Sequence, residues 1–217
     1  MQLERMDDFF AARVDGYDEH MHENVERGSG FYVYTASLLP MGKDACVLDL
    51  GCGPGLELEE YFRQNPDASV TGIDLSDAML NALKEKLGDR RINLILGSYF
   101  DVPLGEQAFD AAVSVESLHH FPAEQKEELY RKLHAALKEG GVFVLTDYFA
   151  ESEELEKEYF QDLARLRQEQ NLPADVFFHY DTPLTVEHEM EVLRKAGFSS
   201  VEIMKEWGTT FTVCARR

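Results

Sequence analysis

The chain has 217 residues, 44% of them hydrophobic, and carries 21 Lys plus Arg against 41 Asp plus Glu, a net charge of −20. Such acidity disfavours RNA or DNA as a partner, even with Arg90-Arg91 and Arg216-Arg217 present, because nucleic-acid affinity comes largely from cationic side chains displacing counterions. No apolar run approaches the roughly 18 residues of a membrane span, and Met1-Gln2-Leu3-Glu4-Arg5 lacks a signal-peptide core, so a cytoplasmic chain with no membrane partner is expected.

Residues 1–40 read as helical pieces. Met6, Phe9, Phe10, Arg13 and Tyr17 recur at near-helical spacing, Phe31-Tyr32-Val33-Tyr34 and Leu38-Leu39 continue an apolar face to Pro40, and Gly28-Ser29-Gly30 separates the two. Ala45 to Leu50 is an apolar β-type run that ends in Gly51-Cys52-Gly53-Pro54-Gly55, and Leu56 to Gln64 is helix-compatible. Glycine is kept where φ turns positive or a ligand must approach the backbone. The spacing narrows the ligand: a dinucleotide loop needs G-x-G-x-x-G, but Leu56 stands where its third glycine belongs. A phosphate loop needs a Gly-Lys-Ser/Thr ending, and there is no lysine between Lys43 and Lys84. Asp49 can accept from a cationic amine or fix the loop. The thiols Cys46, Cys52 and Cys214 form no C-x-x-C pair and read as free, with Cys52 a small residue filling a tight turn.

A second apolar run, Ala68 to Asp74, ends in an acid 19 residues beyond Gly55, where a doubly wound fold places a carboxylate for ribose hydroxyls. Ser76 or Asp77 caps a helix with Met79, Ala82, Leu83 and Leu87 on one face, ended by Gly88. Ile92 to Leu96 is a third strand, followed by Gly97-Ser98-Tyr99, and Phe109 to Val115 a fourth, leading to Ser117-Leu118-His119-His120-Phe121. The paired histidines invite a metal reading, but adjacent side chains point apart and no further ligands are evident, so no metal is expected. Either histidine is a candidate general base. Pro122 opens a helix with Leu129, Leu133, Ala136 and Leu137 on one face, ended by Gly140-Gly141; Val142 to Asp147 is the fifth strand. An acidic helix from Glu151 to Gln170 follows, then an aromatic, polar segment from Val176 to Pro183 with the composition of a pocket wall, and a helix capped by Thr185. Val201–Lys205 and Thr209–Cys214 close the chain as a hairpin around Trp207-Gly208.

Asp49-Leu50-Gly51-Cys52-Gly53-Pro54-Gly55 after a strand resembles the first motif of the class I S-adenosylmethionine-dependent methyltransferases, and the likeness runs from about residue 30 to 217. The resemblance implies an α/β, Rossmann-like, seven-stranded, mostly parallel sheet with an antiparallel last strand, helices on both faces and an N-terminal helical cap. It divides a single domain, 1–217, into the cap (1–40), a cofactor core (41–149), a substrate-side helical insertion (150–197) and the terminal hairpin (198–217). S-adenosylmethionine is the implied cofactor and S-adenosylhomocysteine its product, with Tyr32, Asp49, Gly51, Cys52, Gly53, Gly55, Asp74, Leu75, Met79, Ser98, Tyr99 and Val115 as contacts. The family commonly carries Gly-Asp where this chain has Gly97-Ser98, which alters the expected adenine contact. Tyr17, His119, His179 and Tyr180 are the expected substrate residues, and the acceptor a small molecule; a homodimer is left open. The layout is also similar to carboxy-S-adenosylmethionine synthases, but no Arg for the extra carboxylate occurs between Asn171 and Glu191, which favours ordinary S-adenosylmethionine. A non-catalytic S-adenosylmethionine-binding regulator is the other alternative.

Overall fold

The computed structural model describes residues 1–23, 28–173 and 175–217. Four of the residues expected in the N-terminal cap, 24–27, therefore lie outside the described part. The chain enters through three short helices, α1 (Met6–Ala11), α2 (Tyr17–Glu23) and α3 (Gly28–Ser37). Gly28-Ser29-Gly30, expected to separate two pieces, is instead the first turn of α3. The strands and helices then alternate, save that β3 leads directly to β4: β1 (Cys46–Leu50), α4 (Leu56–Gln64), β2 (Ser69–Asp74), α5 (Asp77–Leu87), β3 (Arg91–Leu96), β4 (Phe109–Val115), α6 (Ala123–Ala136) and β5 (Leu137–Tyr148). After α7 (Glu153–Glu169) and α8 (Val186–Lys195) come β6 (Ser200–Trp207) and β7 (Thr210–Arg216).

Among the described residues the seven strands form one sheet in the order β3-β2-β1-β4-β5-β7-β6. β7 runs antiparallel to both β5 and β6, and the other pairings are parallel. Successive side chains of a strand face opposite sides, so Leu48 and Leu50 pack with α6 and α8 while Val47 packs with α3, α4 and α5. Asp49 faces the second side. β1 lies between β2 and β4, where the strand order reverses, and the crevice outside the carboxyl ends of these strands is where open α/β sheets bind ligands.

One boundary differs from the sequence reading. α6 ends at Ala136, not at Gly140-Gly141, and Leu137 is the first residue of β5, paired with Phe109. The register shifts between Phe109 and Ala111, and Gly140 takes the positive φ (+76°) that the irregularity requires. The two glycines thus bend a strand instead of closing a helix. The caps expected on α5 and α8 are present: Ser76 Oγ accepts from Met79 N at 3.4 Å, and Thr185 Oγ1 from His188 N at 3.2 Å.

Two buried polar groups tie the layers together. Thr146 Oγ1 lies 2.5 Å from Thr35 Oγ1 and 2.9 Å from Thr212 Oγ1, which in turn accepts from the Trp207 indole at 3.2 Å. Between α6 and α8, Lys126 Nζ donates to Glu189 Oε2 at 2.5 Å, and the Tyr130 hydroxyl donates to Glu189 Oε1. No helix among the described residues is long and apolar enough to cross a membrane.

Candidate active site

The glycine loop turns sharply off β1. Gly51 sits at φ +76° with an added Cβ landing 2.0 Å from Ser117 Oγ, so no side chain fits there. Gly53, also at positive φ (+46°), has nothing within 4 Å of the position its Cβ would take. That open space belongs to the cleft. Gly51 N and Cys52 N donate to Ile73 O at 2.9 and 3.2 Å, and Gly53 N donates to Asp74 Oδ2 at 2.9 Å. The loop is therefore moulded on the end of β2, and Asp74, whose Oδ1 accepts from Ser76 N at 2.8 Å, presents its remaining lone pairs to the cleft.

A narrow cleft is lined by Gly51, Gly53, Asp74, Leu75, Met79, Tyr99 and Val115 from the sheet side, and by Met6, Phe10 and Tyr17 from the N-terminal segment, with Glu116, Ser117 and His120 at its end. Seven of the expected cofactor contacts thus meet in one place. Five do not line it. Tyr32 is buried beside Phe31 (ring centroids 4.7 Å), Gly55 is the left-handed N-cap of α4, and Cys52 is buried under the loop. Ser98 Oγ accepts from Phe100 N at 3.2 Å and shapes the loop that carries Tyr99. Lys132 holds the same loop by donating to the carbonyls of Tyr99, Phe100 and Val102 at 2.7, 2.8 and 2.9 Å.

Asp49 lies beneath the loop, fully buried, and neither of its carboxylate oxygens has a hydrogen-bond partner among the described residues. Burial, and secondly the nearby Glu57 carboxyl, push its pKa well above the usual carboxylate range. Glu57, itself buried at the start of α4, is pushed up to about 7, chiefly by burial. An orphaned buried carboxylate beside a cleft edged by Asp74 and Glu116 fits a ligand that brings positive charge, and S-adenosylmethionine carries an ammonium and a sulfonium. Asp74→Ala is expected to weaken S-adenosylmethionine by about tenfold or more in titration calorimetry; an unchanged affinity would remove the ribose assignment.

A second, larger cavity of about 640 Å³ adjoins the cleft. Phe9, Phe10, Arg13, Gly16, Tyr17, His20 and Met21 roof it, and Glu116, His119, His120, His179 and Asp181 form its polar wall. Phe10, Tyr17, Glu116 and His120 line both spaces. Tyr17, His119 and His179 line this cavity, with the His179 ring stacked on Phe9 (ring centroids 3.5 Å). Tyr180 contributes its carbonyl, 3.3 Å from His120 Nδ1, and its ring does not line the cavity.

Three acids that the sequence reading did not single out shape the wall, Glu116 and Asp181 in it and Asp147 behind it. Glu116 follows β4 with φ +48°, a strained conformation for a residue with a Cβ, and its Oε1 accepts from Thr210 Oγ1 at 3.1 Å. Burial, then Asp147, push its pKa up to about 7. Asp147, buried near the end of β5, accepts from Leu118 N (2.8 Å) and Tyr148 N (2.9 Å) and lies 2.5 Å from His119 Nδ1. Burial would raise its pKa, but the His119 imidazole outweighs it and holds the carboxyl low. Asp181 stands 3.5 Å from His119 Nε2 and 3.2 Å from His120 Nδ1. Burial lowers His119, yet Asp147 and Asp181 together raise it well above the usual histidine range; burial and the charge on His119 push His120 down. Glu116 and Asp147 lie at or just past the carboxyl ends of neighbouring parallel strands, and that position was the signal available for both.

Residues 47–141 match the family model described as a methyltransferase domain. An uncharacterised methyltransferase of Geobacillus sp. (strain WCH70) is 29% identical over 187 residues, covering 85% of this chain and 83% of the relative. The carboxy-S-adenosyl-L-methionine synthase of Campylobacter concisus is 27% identical over 219 residues, covering 96% and 89%. Among solved structures, a putative O-methyltransferase from Nostoc punctiforme superposes with a TM-score of 0.73 at 21% identity, covering all of this chain and 63% of its own, which shows the shared fold. Sheet order, glycine loop, matched domain and relatives agree: the chain carries a methyltransferase domain in the Rossmann-like fold of the class I S-adenosylmethionine-dependent methyltransferases, for which S-adenosylmethionine is the methyl donor.

Proposed function

We propose that the chain methylates a small organic acceptor held in the cavity of about 640 Å³ beside the cofactor cleft. The observation that carries this reading is the shared wall: Phe10, Tyr17, Glu116 and His120 line both spaces, and because the cleft itself encloses only about 50 Å³, the donor extends past this wall into the cavity, where it meets the acceptor. The volume suits a molecule of modest size, and the chain's acidity opposes a nucleic acid.

When bound, S-adenosylmethionine supplies a sulfonium methyl that is already an activated electrophile. The protein's part is then placement and exclusion of water. Asp74 takes the ribose hydroxyls, and Asp49 is the acceptor left for the ammonium. Phe10 and Tyr17 roof the junction and keep water out. Glu116 Oε2 takes the proton of an acceptor hydroxyl, thiol or ammonium; its partner oxygen is already fixed by Thr210, and a pKa near 7 suits a base at neutral pH. Arg13, the guanidinium on the cavity wall, is 3.0 Å from Glu4 Oε1 and packs 3.6 Å over the Phe9 ring. A cation so engaged supports ordinary S-adenosylmethionine over a carboxylated donor.

The test is release of S-adenosylhomocysteine from the full chain with panels of small phenols, thiols, amines and carboxylic acids. Turnover with at least one panel is expected, and Glu116→Gln is expected to lower kcat, read at saturating S-adenosylmethionine because Glu116 also edges the cofactor cleft, by about 100-fold. Tight cofactor binding with no transfer to any acceptor would favour the regulatory alternative. An unaltered kcat in Glu116→Gln would remove the base assignment.

A further inference from the structure

Methyl transfer does not by itself require the arrangement on the cavity's polar wall. His119 and His120 are consecutive in a single turn of 3-10 helix (Leu118–His120), where adjacent side chains were expected to diverge. Instead their rings lie 4.0 Å apart and both face one oxygen: Asp181 Oδ1 is 3.5 Å from His119 Nε2 and 3.2 Å from His120 Nδ1, the latter also 3.3 Å from the Tyr180 carbonyl, a contact it would give up on ligating an ion. Atoms bound to a tetrahedral zinc-sized ion at about 2.0–2.2 Å are separated from one another by roughly 3.3–3.6 Å. The 3.5 Å separation is that of an edge of such a tetrahedron and is long for a hydrogen bond, and the 3.2 Å separation falls just short of an edge. One donor atom from each of the three residues lies within 4.8 Å of the others.

A second observation is the treatment of His119's other nitrogen. Nδ1 lies 2.5 Å from Asp147 Oδ1, and that buried carboxylate is itself fixed by two backbone N–H groups. A metal-ligating histidine usually gives its second ring nitrogen to a carboxylate, which sets the tautomer and orients the ring. The backbone locks the third ligand into register, since Thr182 N donates to His119 O at 2.8 Å. Asp181 has a half-exposed side chain, which leaves a path for an ion, while both histidines are buried.

We propose that His119 Nε2, His120 Nδ1 and Asp181 form a three-ligand site for a zinc-class divalent cation, with Asp147 orienting His119 and the remaining coordination position open to the acceptor cavity. Two imidazole nitrogens and one carboxylate oxygen favour Zn²⁺, Co²⁺ or Fe²⁺ over Mg²⁺ and Ca²⁺. In that position the ion would hold an acceptor heteroatom and lower its pKa, so that its proton passes more readily to Glu116 Oε2. That consequence rests on the cavity being the acceptor's; ion binding does not.

The experiment is titration of the chelator-stripped full chain with Zn²⁺, Co²⁺ and Mg²⁺ alone. One Zn²⁺ per chain with micromolar or tighter affinity is expected, together with the intense visible absorption of four-coordinate Co²⁺ and no comparable Mg²⁺ binding. Asp181→Asn should weaken Zn²⁺ by about 100-fold and Asp147→Asn by about 10-fold or more, with S-adenosylmethionine binding retained in both as evidence of folding. Zn²⁺ binding weaker than about millimolar would overturn the site and leave His119 as an imidazolium held between two carboxylates. Zn²⁺ binding that Asp181→Asn does not alter would equally overturn it. Failure of methyl transfer is read separately, as absence of S-adenosylhomocysteine.

Discussion

Asp49→Asn is expected to stabilise the cofactor-free protein and to weaken S-adenosylmethionine by about tenfold or more. The carboxylate is fully buried without a partner among the described residues, and an unpaired buried polar group costs roughly 1–3 kcal/mol. Its folded pKa is raised, first by burial, above that of the unfolded chain. The folded state therefore holds a proton that the unfolded state releases as pH climbs past the ordinary carboxylate range, so stability falls with rising pH until the folded group also ionises. Asparagine has no such dependence. The gain should be smaller at pH 5 than at pH 8, where it should reach about 1–3 kcal/mol, or several degrees in melting temperature for a chain of this size. Thermal unfolding at the two pH values checks the first half, and calorimetric titration with S-adenosylmethionine the second. A gain equal at both pH values would mean that Asp49 is not titrating under the loop.

Lys126→Met carries the other large effect, and it concerns the fold. Lys126 and Glu189 are both buried, one on α6 and one on α8, with the Tyr130 hydroxyl completing the group. Removing one partner of a buried ion pair leaves an uncompensated charge and costs about 3–5 kcal/mol, whereas replacing both by apolar residues of similar volume is often close to neutral. The single variant should lose that much in urea unfolding at 25 °C, and Lys126→Met with Glu189→Leu should recover most of it. Equal losses in the single and double variants would show that the pair is not coupled. Neither residue lines the cleft or the cavity, so cofactor affinity under folding conditions should not change.

The parts of this protein that were legible in its sequence are those encoded locally. The glycine loop, the acid at the end of β2, the Ser76 and Thr185 caps and the closing hairpin each depend on a few neighbouring residues, and each was readable from them. The end of α6 was misplaced because Gly140-Gly141 resembles a helix stop; pairing of Leu137 with Phe109 decides the matter, and that contact is not local. The polar wall was illegible for the same reason. Glu116, Asp147 and Asp181 come from three separate segments, and nothing in the sequence near any of them announces the other two. Only the folded chain turns His119 and His120 onto a common carboxylate. Tyr32 was misjudged through its neighbours, since aromatic runs serve cores as readily as clefts.

The N-terminal segment and the aromatic segment before Pro183 are fastened to each other. Met6 N donates to Phe177 O at 3.0 Å, His179 N to Glu4 O at 3.0 Å, and the Phe9 ring lies on His179 at 3.5 Å. Whatever displaces one must carry the other, and together they cover both cavities. The consequence is kinetic. With Phe10 and Tyr17 on the wall that both spaces share, turnover is expected to be compulsory-order, donor first and spent donor last, which the product-inhibition pattern of S-adenosylhomocysteine checks.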